Sequence, residues 1–369
     1  GKKVGCPFYE QTGQVVAGGN GGGPALNQFS TDRFYVDDSQ NIYLLDQSPP
    51  NTCEWRFLVW PANSSQARLI TNFCTNEASL SLHDVLVSPD DCSFCISNNR
   101  FTAVLYKGVY GLQHNGEIKL SDYTGWLDLV NSGKATKDEK AIISGMAVNE
   151  GNLDSVQAYD SVIVSAGAMQ KIVSISGGGE FEVQVYEFQQ ENPQAYNKLF
   201  EKCGWSVSPR KIISFKGKTG SILKKYLRED STKGSNGESE ALGPLVCAIS
   251  SPEFQLKQIK DFITRLHIVL RIIPDGFNYT IADYFKSHLG QATALDQHVN
   301  LPAAVKNNVS TALNNFYKKN ANAPKNPNNW IVEQRSTYER EILEDYGLHR
   351  TMTDPEKRYN KLKTAFSLP

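Results

Sequence analysis

The sequence predicts an α+β protein of two domains, with a β-rich N-terminal region over residues 1–125 and a mainly α-helical domain over residues 126–369. Two observations lead to this fold class. Strand patterns of aromatic and β-branched residues fill the first part of the chain, whereas apolar residues at helical spacing follow a capping box in the second part. The cysteines also divide unevenly, since five of the seven lie within the first 95 residues.

Length and composition are those of an ordinary soluble globular protein. The chain has 369 residues, of which 40% are hydrophobic and 21% are charged, so it can bury real cores. Its formal net charge of -1 provides no overall field for nucleic acid or for an anionic membrane. No apolar run approaches the roughly 20 residues of a spanning helix. We therefore expect neither a nucleic-acid partner nor a membrane span.

Cysteine usage and glycosylation triplets point to an extracellular or cell-surface location. Cys92 and Cys95 form a C-x-x-C pair, but no second pair completes a zinc quartet. Disulfides in the N-terminal part are favoured over free buried thiols and over a metal site. Sequons at Asn63, Asn278 and Asn308 fit a secreted glycoprotein. No phosphate-binding loop or dinucleotide fingerprint is present, so we expect no cofactor. Because the cysteines and histidines show no metal-ligand spacing, we expect no metal either.

Strand patterns recur within the N-terminal region. Three strands are predicted first, at Arg33–Asp38, Asn41–Asp46 and Arg56–Trp60. Similar patterns follow in the same order at Asp84–Asp91, Cys92–Ser97 and Phe101–Tyr106. The spacing of roughly 45 to 50 residues is typical of propeller blades.

The first copy resembles an NHL repeat, the blade of one class of β-propeller. The resemblance is carried by Val15–Gly21, Leu26–Gln28, Tyr35–Asp38 and Asn41–Asp46. It implies a propeller-blade-like region, and two unrelated β-meanders are the alternative. Two blades cannot close a propeller, which typically has 4 to 8. Either further blades precede Gly1, or the region packs as a small open sheet.

The second part of the chain has helical patterns. Thr136 and Glu139 form a capping box before a run of apolar residues, which predicts a helix over 137–149. The apolar segment Trp126–Val130 is expected to dock the two parts together, and Asp230–Glu240 is expected to be an exposed loop. Further helices are predicted at 193–203, 252–272, 280–290, 302–319 and 329–346.

Glu150 is the main candidate for chemistry. It closes the helix predicted at 137–149 and directly precedes Gly151. A general acid needs such a rigid support together with partial burial that raises its pKa. The partial negative charge of the helix C-terminus also favours the protonated form. The alternative is an ordinary solvated carboxylate at a helix end.

Further candidates follow Glu150 closely. Tyr159 and Asp160 come first, and residues 162–170 are predicted as a strand that ends in a tight turn. The glycines Gly177–Gly179 would let the backbone approach a ligand and would place Glu180 on a flexible loop.

This arrangement resembles the lysozyme superfamily. The features shared with goose-type lysozymes and lytic transglycosylases are the helix ending in Glu150 and the following Ser-x-Gly-Ala-Met-Gln at 165–170. The resemblance implies that Glu150 is the catalytic acid and that Ser165, Gly167, Ala168, Met169 and Gln170 line a sugar cleft. Gly151 stands where transglycosylases usually carry serine. The stretch from Asn149 to Glu180, with Leu295–Asn300 and Met352–Pro355, is also similar to bacterial peptidoglycan-domain proteins.

A glycosidase normally uses a second carboxylate, at a separation that determines retention or inversion. Asp160, Glu180 and Asp296 are the candidates, and Glu180 is favoured because glycines precede it. Tyr159 and Trp205 are candidates to stack on sugar rings, and Asp296 and His298 are candidates to contact substrate. The alternatives are a solvated Glu180, a Gln170 that only caps its turn, and a structural His298.

The leading hypothesis is an enzyme that cleaves a β-1,4-linked polymer of amino sugars, with peptidoglycan ahead of chitin or chitosan. The N-terminal β region would bind a protein partner or the cell wall. One alternative is a non-catalytic carbohydrate- or protein-binding module, and another is an extracellular interaction module of a larger assembly. An enzyme should place Glu150 and another carboxylate across an open groove, whereas a binding module should show the groove filled or hold Glu150 in a salt bridge. A basic run, Lys224, Lys225, Arg228 and Lys233, is either a solvated face or an attraction for anionic wall polymer.

Overall fold

A computed structural model describes residues 99–230 and 237–366, residues 92 and 95–96, and six N-terminal strands. The chain divides into two compact units, Gly1–Phe94 and Cys95–Pro369. This division lies upstream of the boundary that the sequence suggested between residues 125 and 126. The reason is that a hairpin at residues 102–114 belongs to the sheet of the second unit.

The first unit contains a four-stranded antiparallel meander. Its strands pair in chain order, so that β3 (Phe34–Val36), β4 (Ile42–Gln47), β5 (Glu54–Trp60) and β6 (Arg68–Cys74) are neighbours, while β1 (Phe8–Tyr9) pairs with β2 (Val15–Ala17). Ile42 and Leu44 alternate along β4 and are buried, and Leu58 lies opposite Leu44 and is also buried. The strands expected at Arg33–Asp38, Asn41–Asp46 and Arg56–Trp60 are therefore confirmed.

The second copy of the strand pattern does not form as expected. Cys92, Cys95 and Ile96 are helical, so the strand predicted at Cys92–Ser97 is wrong. The strand predicted at Asp84–Asp91 lies outside the described residues. The strand expected at Phe101–Tyr106 is present, but it pairs within the second unit. In the part of the chain that the structure describes, the sheets are open and form no closed propeller or barrel.

The second unit has a five-stranded sheet that is antiparallel throughout, in the order β11-β10-β9-β8-β7. Its strands are β7 (Thr102–Tyr106), β8 (Val109–His114), β9 (Val156–Gln157), β10 (Val164–Ala166) and β11 (Lys171–Val173). A separate two-stranded ribbon consists of β12 (Trp205–Val207) and β13 (Ile213–Phe215).

Helices make up most of the second unit. They are α1 (Trp126–Asn131), α2 (Lys137–Met146), α3 (Glu180–Glu191), α4 (Pro193–Tyr196), α5 (Gly220–Asp230), α6 (Leu242–Ser250), α7 (Pro252–Leu270), α8 (Ile281–Tyr284), α9 (His288–Asn300), α10 (Pro302–Lys319), α11 (Val332–His349) and α12 (Pro355–Phe366). A π-helical turn, Asn197–Glu201, follows α4. The helices expected at 137–149, 252–272, 302–319 and 329–346 are confirmed to within a few residues.

The single helix predicted at 280–290 is wrong, because the chain is helical only at Ile281–Tyr284 and again from His288. Glu339 explains the break. Its carboxylate accepts hydrogen bonds from the amides of Lys286 (3.1 Å) and Ser287 (2.8 Å). The Ser287 hydroxyl in turn caps the first turn of α9.

Two hydrophobic cores stabilise the second unit. One is helical, and the other combines the sheet, the ribbon and helices α3, α5 and α6. Helix α7 contributes to both, because Phe262 lies in the helical core and Phe254 in the mixed core. The segment after Glu150 also crosses between them, with Leu153 in the helical core and Val156 in the mixed core. Glu150 therefore lies where the two cores meet.

Candidate functional site

Helix α2 gives Glu150 a rigid support. The capping box between Thr136 and Glu139 is present at its first turn, as the sequence predicted. Ile143 and Met146 are fully buried and fix the helix in the core. The chain continues through a 3₁₀ turn, Ala147–Asn149, and the amide of Glu150 donates to the carbonyl of Ala147 at 3.1 Å. Glu150 therefore follows directly from a well-anchored helix.

The loop after Glu150 contacts the turn at residues 167–170. The amide of Gly151 donates to the carbonyl of Ala168 at 3.0 Å. Gln258 of α7 joins the two segments, because its Oε1 accepts from the amide of Ala168 (3.1 Å) and its Nε2 donates to the carbonyl of Leu153 (2.8 Å). The structure thus brings the segment after Glu150 and the Gly167–Gln170 turn together.

Glycine at position 151 has a steric explanation. A Cβ atom there would lie 2.9 Å from Oγ of Ser155 and 3.0 Å from Nε2 of Gln170. Both side chains are held in place, since Nε2 of Gln170 donates to Oγ of Ser155 at 2.7 Å. A serine at this position would therefore crowd the turn.

Glu150 is buried and its carboxyl is paired. Only 7% of its side chain is exposed, and its Oε1 accepts a hydrogen bond from Nη2 of Arg358 at 2.7 Å. Burial raises the pKa of Glu150 to about 8, and the nearby charge of Asp296 acts in the same direction. The positive charges of Arg358 and Arg265 oppose this rise in the pKa. The group is therefore largely protonated at neutral pH.

Arg358 connects Glu150 to Asp296. Its Nε donates to Oδ1 of Asp296 at 3.1 Å, and its Nη1 donates to the carbonyl of Asn149 at 2.9 Å. Asp296 is fully buried and also accepts from Nη2 of Arg350 at 2.6 Å. Asp296 thus lies between two arginines, where its carboxylate is taken up by structural pairing.

The sequence analysis did not identify Arg350 or Arg358. Arg358 lies in the first turn of α12, and the sequence singled out only the Met-Thr-Asp-Pro segment, residues 352–355, that leads into this helix. An arginine on an amphipathic helix is most often solvated, so its residue type carries no signal. The two arginines were recognisable only once the fold placed them beside Asp296.

Glu180 lies on a helix and not on a flexible loop, so that expectation was wrong. It is the first residue of α3. The carboxylate of Glu182 holds the helix start, because its Oε2 accepts from the amide of Gly179 at 2.7 Å. Glu180 is half exposed and pairs with Nη2 of Arg265 at 2.8 Å.

His298 also belongs to the surroundings of Arg265. The carbonyl of His298 accepts from Nη1 of Arg265 at 3.1 Å. Burial lowers the pKa of His298 to about 4, and the charge of Arg265 contributes to the lowering. Two arginines that the sequence did not single out therefore contact four residues that it did. Arg358 contacts Glu150 and Asp296, and Arg265 contacts Glu180 and His298.

Tyr159 and Asp160 contact a different part of the unit. Oδ1 of Asp160 accepts from the amide of Val162 at 3.0 Å, which closes a local turn. Arg228 of α5 donates to the carbonyls of Tyr159 and Asp160. The ring of Tyr159 lies 6.2 Å from that of Tyr106 on β7. These contacts tie the turn to α5 and to the β7–β8 hairpin.

The basic run is partly structural. Besides Arg228, Lys224 donates to the carbonyl of Ser161. Lys225 forms an exposed pair with Glu229 at 3.6 Å, and Lys233 lies outside the described residues. Two of the four cations therefore brace the turn at residues 159–161.

The remaining residues of the expected cleft are mostly buried. Ser165 lies within β10, and Met169 packs against the helical core. Gln170 has a left-handed backbone (φ 49°) and donates to the carbonyl of Gly167 at 2.7 Å, so it does cap its turn. Trp205 is buried and donates to the carbonyl of Ala241, so the expectation that it stacks on sugar is wrong.

The described residues include no group of three or more His, Cys, Asp or Glu side chains that could hold a metal ion. Over the same residues, no helix is long and apolar enough to cross a membrane. Cys95 and Cys247 form a disulfide, and Cys203 is disulfide-bonded as well. Such bonds persist in oxidising compartments.

Comparisons of the chain with protein-family models, with curated proteins and with solved structures gave no match.

Proposed function

We propose that the unit from Cys95 onward is a lysozyme-like glycosidase that cleaves β-1,4-linked amino-sugar polymers. Peptidoglycan is the first candidate substrate, and chitin or chitosan is the second. The observation that carries the proposal is the buried carboxyl of Glu150, whose pKa of about 8 keeps it protonated at neutral pH. A protonated carboxyl on a fixed support is what a general acid requires.

In this mechanism Glu150 donates its proton to the glycosidic oxygen as the bond to the sugar breaks. The Gly167–Gln170 turn, which contacts Gly151, would form one wall beside the sugar. Glu180 is the proposed second carboxylate, because it is half exposed and shares the neighbourhood of Arg265 with Glu150. Asp296 is a poor second carboxylate, because it is fully buried between two arginines.

The alternative proposal is a non-catalytic module that binds carbohydrate or protein outside the cell. The contact between Glu150 and Arg358 favours it, because a carboxyl held by a cation is expected of a binding module and not of an enzyme with an open groove. The propeller-blade-like meander of the first unit would then provide a surface for a protein partner.

Digestion of polymer distinguishes the two proposals. Purified protein is incubated with peptidoglycan, chitin and chitosan, and soluble products are identified by mass spectrometry. We expect soluble muropeptides from the wild type and a loss of about 10³-fold in Glu150→Gln, which cannot donate the proton. Glu201→Gln, an exposed carboxylate on the π-helical turn, is the matched control and should keep full activity.

Anhydro ends on the products would identify a transglycosylase, and reducing ends a hydrolase. If the wild type releases nothing from any of the three polymers, the glycosidase proposal fails on those substrates. A pull-down of the same polymers would then test the binding module.

A further inference from the structure

We propose that Arg358 is a positioning residue, which fixes the orientation of the Glu150 carboxyl and is itself held by Asp296. The inference rests on the proposed function of Glu150 as an acid. It makes α12, the last described helix of the chain, part of the active site. The proposal rests on the contacts of Arg358 with the Asn149–Glu150 segment and with Asp296 on α9.

Arg358 holds both the side chain and the backbone at the end of α2. Its Nη2 donates to Glu150 at 2.7 Å, and its Nη1 donates to the carbonyl of Asn149 at 2.9 Å. Nδ2 of Asn149 donates back to the carbonyl of Arg358 at 3.0 Å. Because a guanidinium is planar and rigid, these bonds fix the carboxyl relative to the backbone that carries it.

Asp296 fixes the other edge of the same guanidinium. It accepts from Nε of Arg358, and it is fully buried on α9. Arg350 binds Asp296 from the opposite side, and Nη1 of Arg350 donates to the carbonyl of Thr293 at 2.6 Å. The position of Arg358 is therefore set by the packed interior and not by solvent.

The charged groups that face Glu150 come from three helices. Arg358 on α12 and Arg265 on α7 favour its ionised form and lower its pKa, whereas Asp296 on α9 and burial raise it. Removing Arg358 must therefore raise the pKa of Glu150, because a cation that favours the carboxylate is lost. A purely structural arginine elsewhere would leave this titration unchanged.

Arg358→Met tests the inference directly. Methionine fills similar apolar volume, Asp296 keeps Arg350 as a partner, and Glu150 can remain neutral, so the variant should fold. The Glu150 titration is followed by NMR of ¹³C-labelled glutamate in the full chain, with Glu150→Gln used to assign the signal. We expect the midpoint to rise by about 1 pH unit or more.

Two further variants serve as controls. Arg358→Lys retains the charge and should return the midpoint most of the way to that of the wild type. Arg335→Met removes a half-buried arginine of α11 that donates to the carbonyls of Asp283 and Pro327, and it should leave the Glu150 midpoint unchanged. An unchanged midpoint in Arg358→Met would overturn the inference.

Polymer digestion provides the second readout. In Arg358→Met we expect kcat to fall by about 10- to 100-fold, since the acid is misplaced, while the alkaline limit of activity moves to higher pH. An active wild type with an unaltered profile in Arg358→Met would contradict the positioning role alone. An inactive wild type would contradict the proposed function, whereas the NMR midpoint would still decide whether Arg358 controls Glu150.

Discussion

Two ion clusters of the second unit are built from similar parts but differ in how deeply their carboxyl groups are buried. Around Arg358, the carboxylates are buried, with Asp296 at 0% and Glu150 at 7% exposure of their side chains. Around Lys257 on α7, the cation is buried, at 7% exposure, while its partner Glu187 is 49% exposed. Around Arg358 the carboxyl groups are therefore removed from water, and Arg350 is fully buried with them, whereas around Lys257 the ammonium is buried and Glu187 stays half exposed.

This difference determines which group titrates near neutral pH. Burial raises the pKa of Glu150 to about 8. For Lys257, burial acts to lower the pKa, but the hydrogen bonds to Glu187 and Glu191 and the negative charges of Asp261 and Glu187 together outweigh burial, and the pKa is raised. Of Glu150 and Lys257, only Glu150 thus titrates near neutral pH. The buried carboxyl of Glu150, and not the buried ammonium of Lys257, is therefore the group that can give up a proton near neutral pH.

The largest effect is expected from Asp296→Ala. This change leaves Arg350 buried without its carboxylate, which should lower the free energy of unfolding by about 3 to 5 kcal/mol. Chemical denaturation at pH 7 measures the loss. Asp275→Asn, which breaks the exposed pair with Lys306, should cost no more than about 1 kcal/mol. Equal losses in the two variants would show that the buried Asp296 cluster contributes no more to the free energy of unfolding than an exposed ion pair.

The pH dependence of stability should come next in size. The pKa of Glu150 lies at about 8 when folded, against an ordinary 4.5, so the folded state binds the extra proton between these values. Stability from this group is therefore complete below about pH 4.5 and declines toward pH 8, with a slope of up to about 1.4 kcal/mol per pH unit. Denaturation curves of wild type and Glu150→Gln at pH 5 to 8 measure the slope that Glu150 adds.

In Glu150→Gln this part of the slope should vanish, while Glu201→Gln should retain it. A wild type whose stability rises across the same interval relative to Glu150→Gln would contradict the raised pKa.

The smallest effect is expected from Lys257→Met. The variant keeps the buried apolar volume, Glu187 and Glu191 stay about half exposed, and Asp261 keeps its pairing with Lys171, so it should cost about 1 to 2 kcal/mol. Thermal unfolding measures the cost, and NMR should find the Glu150 midpoint unchanged. A shifted midpoint would mean that the two clusters are coupled, which would contradict their treatment as independent sites.

The support of Glu150 could be predicted from the sequence because its signals are local. The Thr136 and Glu139 capping box and the apolar spacing behind it determine α2, and the turn at 167–170 follows from its glycine. The position of Glu180 could not be predicted in this way. Three glycines indicated a flexible loop, but the carboxylate of Glu182 fixes the last of them as a helix start.

Long-range partners were the least predictable part of the site. Arg358 lies 208 residues after Glu150, and nothing in its own neighbourhood distinguishes it from a solvated arginine. Trp205 could not be assigned for the same reason. The sequence alone does not distinguish an aromatic residue that stacks on a ligand from one that packs in a core. The residues close to Glu150 in sequence were therefore predicted, whereas Arg358, the cation that contacts its carboxyl, was not.

The disulfide between Cys95 and Cys247 closes a covalent ring whose two ends are 152 residues apart in sequence. Glu150 and the 167–170 turn lie within that ring, whereas Asp296 and Arg358 lie in the part of the chain that follows Cys247. One protease cut inside the ring leaves both fragments joined by the bridge, so the acid stays tethered to its arginine. One cut between residues 247 and 358 breaks that covalent link, and the acid and its cation then stay together only by packing.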